Sequence, residues 1–155
     1  MTSIIESLES NYTSLLSGIS YLASASGGTV VAAADAATLL DIMTISPPFA
    51  VIVFNGEIAG PSDRVGTGAV QQTEMEWSFF LGASSFAADG EGRLGTVGIY
   101  QMIDDVIAAV DGRALSLAPL AKAFYKRARR YNITPNLVIY EVVFRNQFVR
   151  DQPSA

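Results

Sequence analysis

Ala121-Lys-Ala-Phe-Tyr-Lys-Arg-Ala-Arg-Arg-Tyr131 and, behind it, Leu137-Val-Ile-Tyr-Glu-Val-Val-Phe144 together settle whether the C-terminal third is helical or extended. Taken alone, 121–131 suits a basic helix and a basic strand equally. The β-branched content of Leu137–Phe144 marks a strand, and Asn132-Ile-Thr-Pro-Asn136 has the residues of a hairpin loop. Pairing 121–131 with 137–147 gives the more compact chain. The expectation is therefore an antiparallel hairpin at the C-terminal end.

Residues 70–81 alternate: Gln72, Glu74 and Glu76 face one way, while Met75, Trp77, Phe79 and Leu81 face the other. This period of two predicts a strand with one wet face. Phe49-Ala-Val-Ile-Val-Phe54 is apolar throughout, which predicts a short strand buried on both faces. Ser46-Pro47-Pro48 stops any helix before it. Asn55-Gly56 signals a turn, opening a loop over 55–69 that holds four glycines and one proline, and a second loop is expected over 82–95.

Helical spacing occurs in two clear places. Val97, Ile99, Met102, Ile103, Val106, Ile107 and Val110 predict a helix over 96–111, with Gly112 as the residue just past its end. Ile4, Ile5, Leu8, Tyr12, Leu15, Leu16, Ile19 and Leu22 predict a long N-terminal helix over 2–24, with Thr2 or Ser3 and Glu6 as a capping box and Ser24–Gly28 as the following turn. A shorter helix is expected over 31–43, burying Ala32, Leu39, Leu40 and Met43. The resulting fold class is α+β: a mostly antiparallel or mixed four-stranded sheet with helices packed on one face, plus the long N-terminal helix. The 155 residues make one domain, with 1–24 as that helix, 25–150 as the α/β core and 151–155 as a loose tail.

Composition narrows the chemistry. There is no cysteine and no histidine, so disulfides, thiolate nucleophiles, Cys/His metal sites and imidazole bases are excluded. Half of the residues are hydrophobic and only 16% are charged, which easily fills a core and is expected to leave apolar surface over, suiting a subunit that buries area against partners. Acids occupy the start, Met1–Glu9, where a secretory signal carries bases. The uncharged run 10–34 holds eight Ser/Thr and three Gly, too polar for a membrane span. A soluble protein is the expectation.

Candidate reactive groups are few. Asp104 and Asp105 are consecutive on a helix and point about 100° apart, so the expected role is a solvated helix face. Glu74 and Glu76 share one face of a strand about 7 Å apart, a spacing that permits acid–base or cation chemistry. A small metal- or ligand-binding enzyme built on this pair is one alternative. Asp89-Gly90-Glu91-Gly92 lacks the ligand ladder of a calcium loop, and Gly66-Thr67-Gly68 lacks the helix and lysine of a phosphate cradle. No catalytic residue, metal site or cofactor is assigned, and a non-enzyme is expected.

Charge placement carries more. Residues 1–112 hold 13 acids against two bases, whereas 113–155 hold eight bases against two acids: net −11 and +6, summing to −5. Five bases lie within nine residues, Lys122, Lys126, Arg127, Arg129 and Arg130, interleaved with Phe124, Tyr125 and Tyr131. Three uses are open. The segment can meet the acidic part of an adjacent copy or another partner, with Glu74 and Glu76 as candidate contacts; it can bind nucleic acid; or it can neutralise the chain's own acids. A pI near 4.6 works against free DNA binding.

The layout resembles a known family. Asp35–Asp41, the Pro47-Pro48 step into Phe49–Phe54, and the aromatic strand Trp77-Ser-Phe-Phe-Leu81 form one half of the likeness. Gly98-Ile-Tyr-Gln-Met-Ile-Asp-Asp-Val-Ile-Ala-Ala-Val-Asp-Gly112, then Pro119-Leu120, then Leu137–Phe144 form the other. Over about residues 30–146 this is similar to the small tail-completion proteins of Mu-like and related contractile-tailed bacteriophages, and more distantly to the tail terminators of long-tailed phages. It is a likeness of layout and hydrophobic pattern, without a diagnostic motif. The resemblance implies a structural virion protein made in the host cytoplasm and located in the tail or neck. It implies a hexameric ring of copies on the end of the tail tube, meeting tube, sheath and head–tail neck proteins, with genome DNA only as passing cargo and no membrane. A head–tail connector or neck adaptor is the neighbouring alternative. The long, uncharged, Ser-rich N-terminal helix departs from that family's pattern.

Overall fold

The computed structural model describes residues 3–33, 47–63, 70–84, 98–113, 122–134 and 137–151. Five strands form one mixed sheet: β1 (Thr29–Ala33), β2 (Phe49–Asp63), β3 (Val70–Ser84), β4 (Ala123–Thr134) and β5 (Leu137–Asp151), in the spatial order β1-β2-β3-β5-β4. β1 runs parallel to β2, and the other three pairings are antiparallel. Among the described residues, two helices, α1 (Ile4–Ser17) and α2 (Ile99–Val110), pack on one face.

The expected C-terminal hairpin is present. β4 pairs with β5 from Ala123↔Asn146 to Thr134↔Leu137, so 121–131 is strand rather than helix from Ala123 onward. Thr134 belongs to β4, which shortens the expected loop 132–136, and residues 135–136 lie outside the described residues. The alternation of 70–81 extends through β3, which lies between β2 and β5 and pairs with both along most of its length. Met75, Trp77, Phe79, Leu81 and Ala83 meet the helices in the main core.

α1 lays Leu8, Tyr12 and Leu16 on the sheet, and α2 adds Ile99, Met102, Val106 and Val110. Tyr12 stands 5.1 Å from both the Trp77 and Phe79 rings, and Phe79 stands 5.0 Å from Phe144. Each such ring pair adds about 0.5–1.5 kcal/mol beyond the area it buries. Trp77 Nε1 and the Tyr12 hydroxyl both donate to Asn146 Oδ1, at 2.9 and 3.3 Å. Burial pushes the Tyr12 phenol well above its usual value. Asn146 Nδ2 has no partner among the described residues. Leaving it so costs about 1–3 kcal/mol, which the two bonds to its oxygen must offset.

The second face of the sheet carries a smaller cluster, Phe49, Val51, Phe80 and Ile139. Phe49–Phe54 is thus apolar on both sides, as its composition demands. Gly82 lies directly under Phe49, and a Cβ at residue 82 would run into the ring.

Several expectations are corrected. The N-terminal helix ends at Ser17 instead of running to residue 24, and single 3-10 turns follow at Ser20–Leu22 and Ser24–Ser26. Ile19 and Leu22 kept the helical stripe because a spacing of three fits a 3-10 turn as well as an α-helix. Ser3 and Glu6 do form the capping box. The helix expected from residue 31 is overturned at its start: 31–33 belong to β1, the strand that makes the sheet five-stranded, and Ala32 is exposed. Residues 34–46, with Leu39, Leu40 and Met43, lie outside the described residues.

Asn55-Gly56 does not turn the chain. A register shift between Phe54 and Gly56 absorbs the extra residue as a bulge, Gly56 takes φ 146°, and β2 continues to Asp63. The expected loop 82–95 begins inside β3, and 85–97 lie outside the described residues, as do 152–155 of the expected tail; Asp151 ends β5. Among the described residues, no helix is long and apolar enough to cross a membrane.

The Gly82–Phe49 contact sets a stability test. Gly82→Ala is expected to destabilise by about 1–3 kcal/mol through overpacking. In urea unfolding, Phe49→Leu combined with Gly82→Ala should cost less than the two single changes summed. Additive costs would mean that the ring does not occupy this site.

Candidate functional site

Polar chemistry gathers on the face of the sheet opposite the helices. β3 places Glu74, Glu76 and Ser78 there in succession, because alternate residues share a face. β5 adds Glu141 opposite Phe80 and Arg145 opposite Glu76, and β4 adds Arg129 opposite Glu141. Asn55 enters from the β2 bulge and Lys126 from a bulge in β4 between Tyr125 and Arg127. Both bulges aim a side chain that regular pairing would have placed elsewhere.

The resulting network links β2, β3, β5 and β4. Asn55 Nδ2 donates to Ser78 Oγ at 2.6 Å, and Ser78 Oγ donates to Glu141 Oε2 at 2.9 Å. Arg129 Nε donates to Glu141 Oε1 at 2.7 Å. Lys126 Nζ reaches Glu76 Oε1 at 2.6 Å across β5, and Arg145 stands 3.7 Å from Glu74. The Lys126 ammonium bonded to Glu76 holds that carboxyl below its ordinary value of 4.5; burial opposes the shift, while the Asn55 amide and the Arg127 charge add to it. A general acid needs the opposite shift.

Sequence spacing put Glu74 and Glu76 on one face, and the structure does so. It ties each to a different cation. Asn55, Gly56, Glu57, Ile58, Glu74, Glu76 and Lys126 line an open depression of about 320 Å³ at this end of the sheet. Among the described residues, no group of three or more acids is placed to hold a metal ion. Asp105 accepts from the Tyr21 hydroxyl at 2.6 Å and from Gln101 Nε2 at 2.8 Å, while Asp104 is exposed. Burial, then Asp105 itself, pushes the Tyr21 phenol well above its usual value.

Of the five clustered bases, Lys126 and Arg129 are paired within the chain. Lys122, Arg127 and Arg130 are exposed and make no ion pair among the described residues. All except Lys122 lie on β4, an edge strand. Its first residues are covered: Ala123 exchanges backbone bonds with Gly112 and Arg113, and Tyr125 N donates to Asp111 Oδ1 at 2.8 Å. Past Tyr125 no described residue pairs with its outer side. Phe124, Tyr125 and Tyr131 are each about two-fifths exposed there.

Four members of the network were not singled out from sequence: Asn55, Ser78, Glu141 and Arg145. Glu141 had a readable signal, since a lone acid inside Val-Ile-Tyr-Glu-Val-Val needs a cation and the hairpin register supplies Arg129. Asn55 had none, because its dipeptide with Gly56 spells a turn.

These features define an α+β protein whose distinctive chemistry lies on its outer face and one sheet edge. No protein-family model matches the chain, and no curated protein matches it.

Two outcomes follow from the network. Arg129 is largely exposed whereas only 10% of the Glu141 side chain is accessible, so screening weakens the attraction but not the need of the buried carboxylate for a partner. Arg129→Met is expected to cost about 1–3 kcal/mol, and Arg129→Met with Glu141→Gln should recover part of it in chemical denaturation. The depressed Glu76 pKa contributes stability that is full above pH 4.5 and lost as pH falls through the lower folded-state value. Lys126→Met should flatten that part of the stability–pH curve; an unchanged slope would mean that the pair is not formed in solution.

Proposed function

We propose that this chain is a structural subunit of a contractile phage tail, a tail terminator that rings the end of the tail tube and joins it to the neck and the last sheath ring. It acts without catalysis, as a hexamer of identical copies. The supporting observation is the β4 edge, where exposed aromatic rings stand beside Lys122, Arg127 and Arg130, which have no ion-pair partner among the described residues.

The physical case rests on what this edge is suited to do. An open strand edge is a surface for another chain unless it is blunted. Here bulges at Lys126 and at Tyr131 break the regular backbone ladder, so contact falls to side chains. Aromatic rings and arginines are the residue types that carry most binding energy between proteins. The carboxylates of the polar face are bonded to their own cations, which stiffens the sheet instead of presenting free acids. A stiff sheet with an adhesive margin suits a part that must stop a growing tube without remodelling.

The layout likeness to the tail-completion proteins supplies the particular assembly. Incubation with purified tail tubes tests it by negative-stain microscopy. The expected outcome is a collar at one end of each tube and an arrest of tube growth. Bare ends and unchanged tube lengths at saturating protein would refute the assignment.

A further inference from the structure

Charge in this fold is sorted by layer as well as by position along the chain. α1 and α2 hold Glu6, Glu9, Asp104 and Asp105 and no Lys or Arg. β4 holds Lys126, Arg127, Arg129 and Arg130 and no acid. The ion pairs among the described residues all lie within the sheet, and none joins a helix carboxylate to a cation. Asp105 is bonded to the neutral donors Tyr21 and Gln101, and Glu6 closes its own helix cap. Among the described residues, then, no helix carboxylate meets a cation, and Arg127 and Arg130 form no ion pair, Arg127 lending only its field to Glu76.

The two cations project from opposite sides of the edge. Arg127 pairs with Val143, whose side chain lies on the polar face, and Arg130 pairs with Tyr140, which packs toward the helices. The charges and bulges of β4 already blunt it against strand addition, so an occupant must be met by side chains. The edge offers Arg127 and Arg130 beside Phe124, Tyr125 and Tyr131, the residue types enriched at protein interfaces. A polyanion is the poorer occupant, because the whole molecule carries −5.

We infer that the occupant of the β4 edge is a second copy of this chain, which docks its helix layer, at the exposed Asp104 and the half-buried Glu9, against Arg127 and Arg130. The two patches differ, so the contact is head-to-tail and propagates around a ring or along a filament instead of closing as a two-fold dimer. The inference rests on the ring-subunit reading and supplies its seam. The β4 bulges make this a side-chain contact, not a continuation of the sheet from one copy to the next.

A charge-swap experiment tests it by sedimentation at low and high salt. Wild-type protein should self-associate at low salt and dissociate as salt rises. Arg127→Glu/Arg130→Glu and Glu9→Lys/Asp104→Lys should each weaken association by about tenfold or more, with thermal melts confirming that both remain folded. Mixed in equal amounts, the two variants should associate again, because each now offers the complement of the other. A mixture no more associated than its components, or a wild type that stays monomeric at low salt, overturns the seam. Salt-sensitive retention on DNA that is lost with Arg127→Glu/Arg130→Glu, without self-association, overturns it in favour of nucleic acid. If tube ends are still capped while the mixture fails to associate, the seam falls and the terminator reading stands.

Discussion

Everything in this structure hangs on β3 and the junction where Tyr12 and Trp77 share one acceptor, Asn146 Oδ1. Two donors that burial would otherwise strand are satisfied at a single point, which fastens α1 to the sheet where β3 and β5 meet. The rings around that point, Phe54, Phe79 and Phe144, fill the core in edge and tilted contacts. With one face of β3 committed to aromatic packing, the opposite face is free to differ along its length. It is apolar and buried at Phe80, polar and buried at Ser78, and half-exposed at Glu74 and Glu76.

That gradient connects packing to the proposed role. The carboxylates of the second face, Glu74 and Glu76 where it opens to solvent and Glu141 where it is buried, are held by Arg145, Lys126 and Arg129. These pairs are modest in energy because one partner in each is accessible. Their larger effect is on direction: the bulge at Lys126 turns one cation inward and leaves Arg127 and Arg130 at the margin. The charge that reaches the outside is thus set by where β4 breaks its register. The proposed ring subunit would use such a margin more than a cleft.

Much of the fold was legible from the chain because three signals were unambiguous. The strict alternation of 70–81 had to be a strand, although the face expected to be wet is buried at Ser78 and Phe80 and only half-exposed at Glu74 and Glu76; the spacing of Ile99 to Val110 had to be a helix, and Leu137–Phe144 needed a neighbour. What misled were local signals overruled by long-range pairing. Thr29–Ala33 is short and ends in alanines, so nothing local marks it as a strand; only its alignment beside Phe49–Val53 makes it one. Asn55-Gly56 is a turn pair by propensity, yet the sheet on both sides carries it through as a bulge. The site divides in the same way. The shared face of Glu74 and Glu76 follows from the pleat, whereas the partners that neutralise them depend on two bulges that no spacing rule announces.

Radical footprinting of assembled tails against free protein probes the central claim, that this protein works through contacts at its β4 margin. Phe124, Tyr125 and Tyr131 are exposed rings that report directly on cover at that edge. The account expects their labelling to fall sharply in the particle. Labelling that is the same in the particle and in the free chain would contradict it.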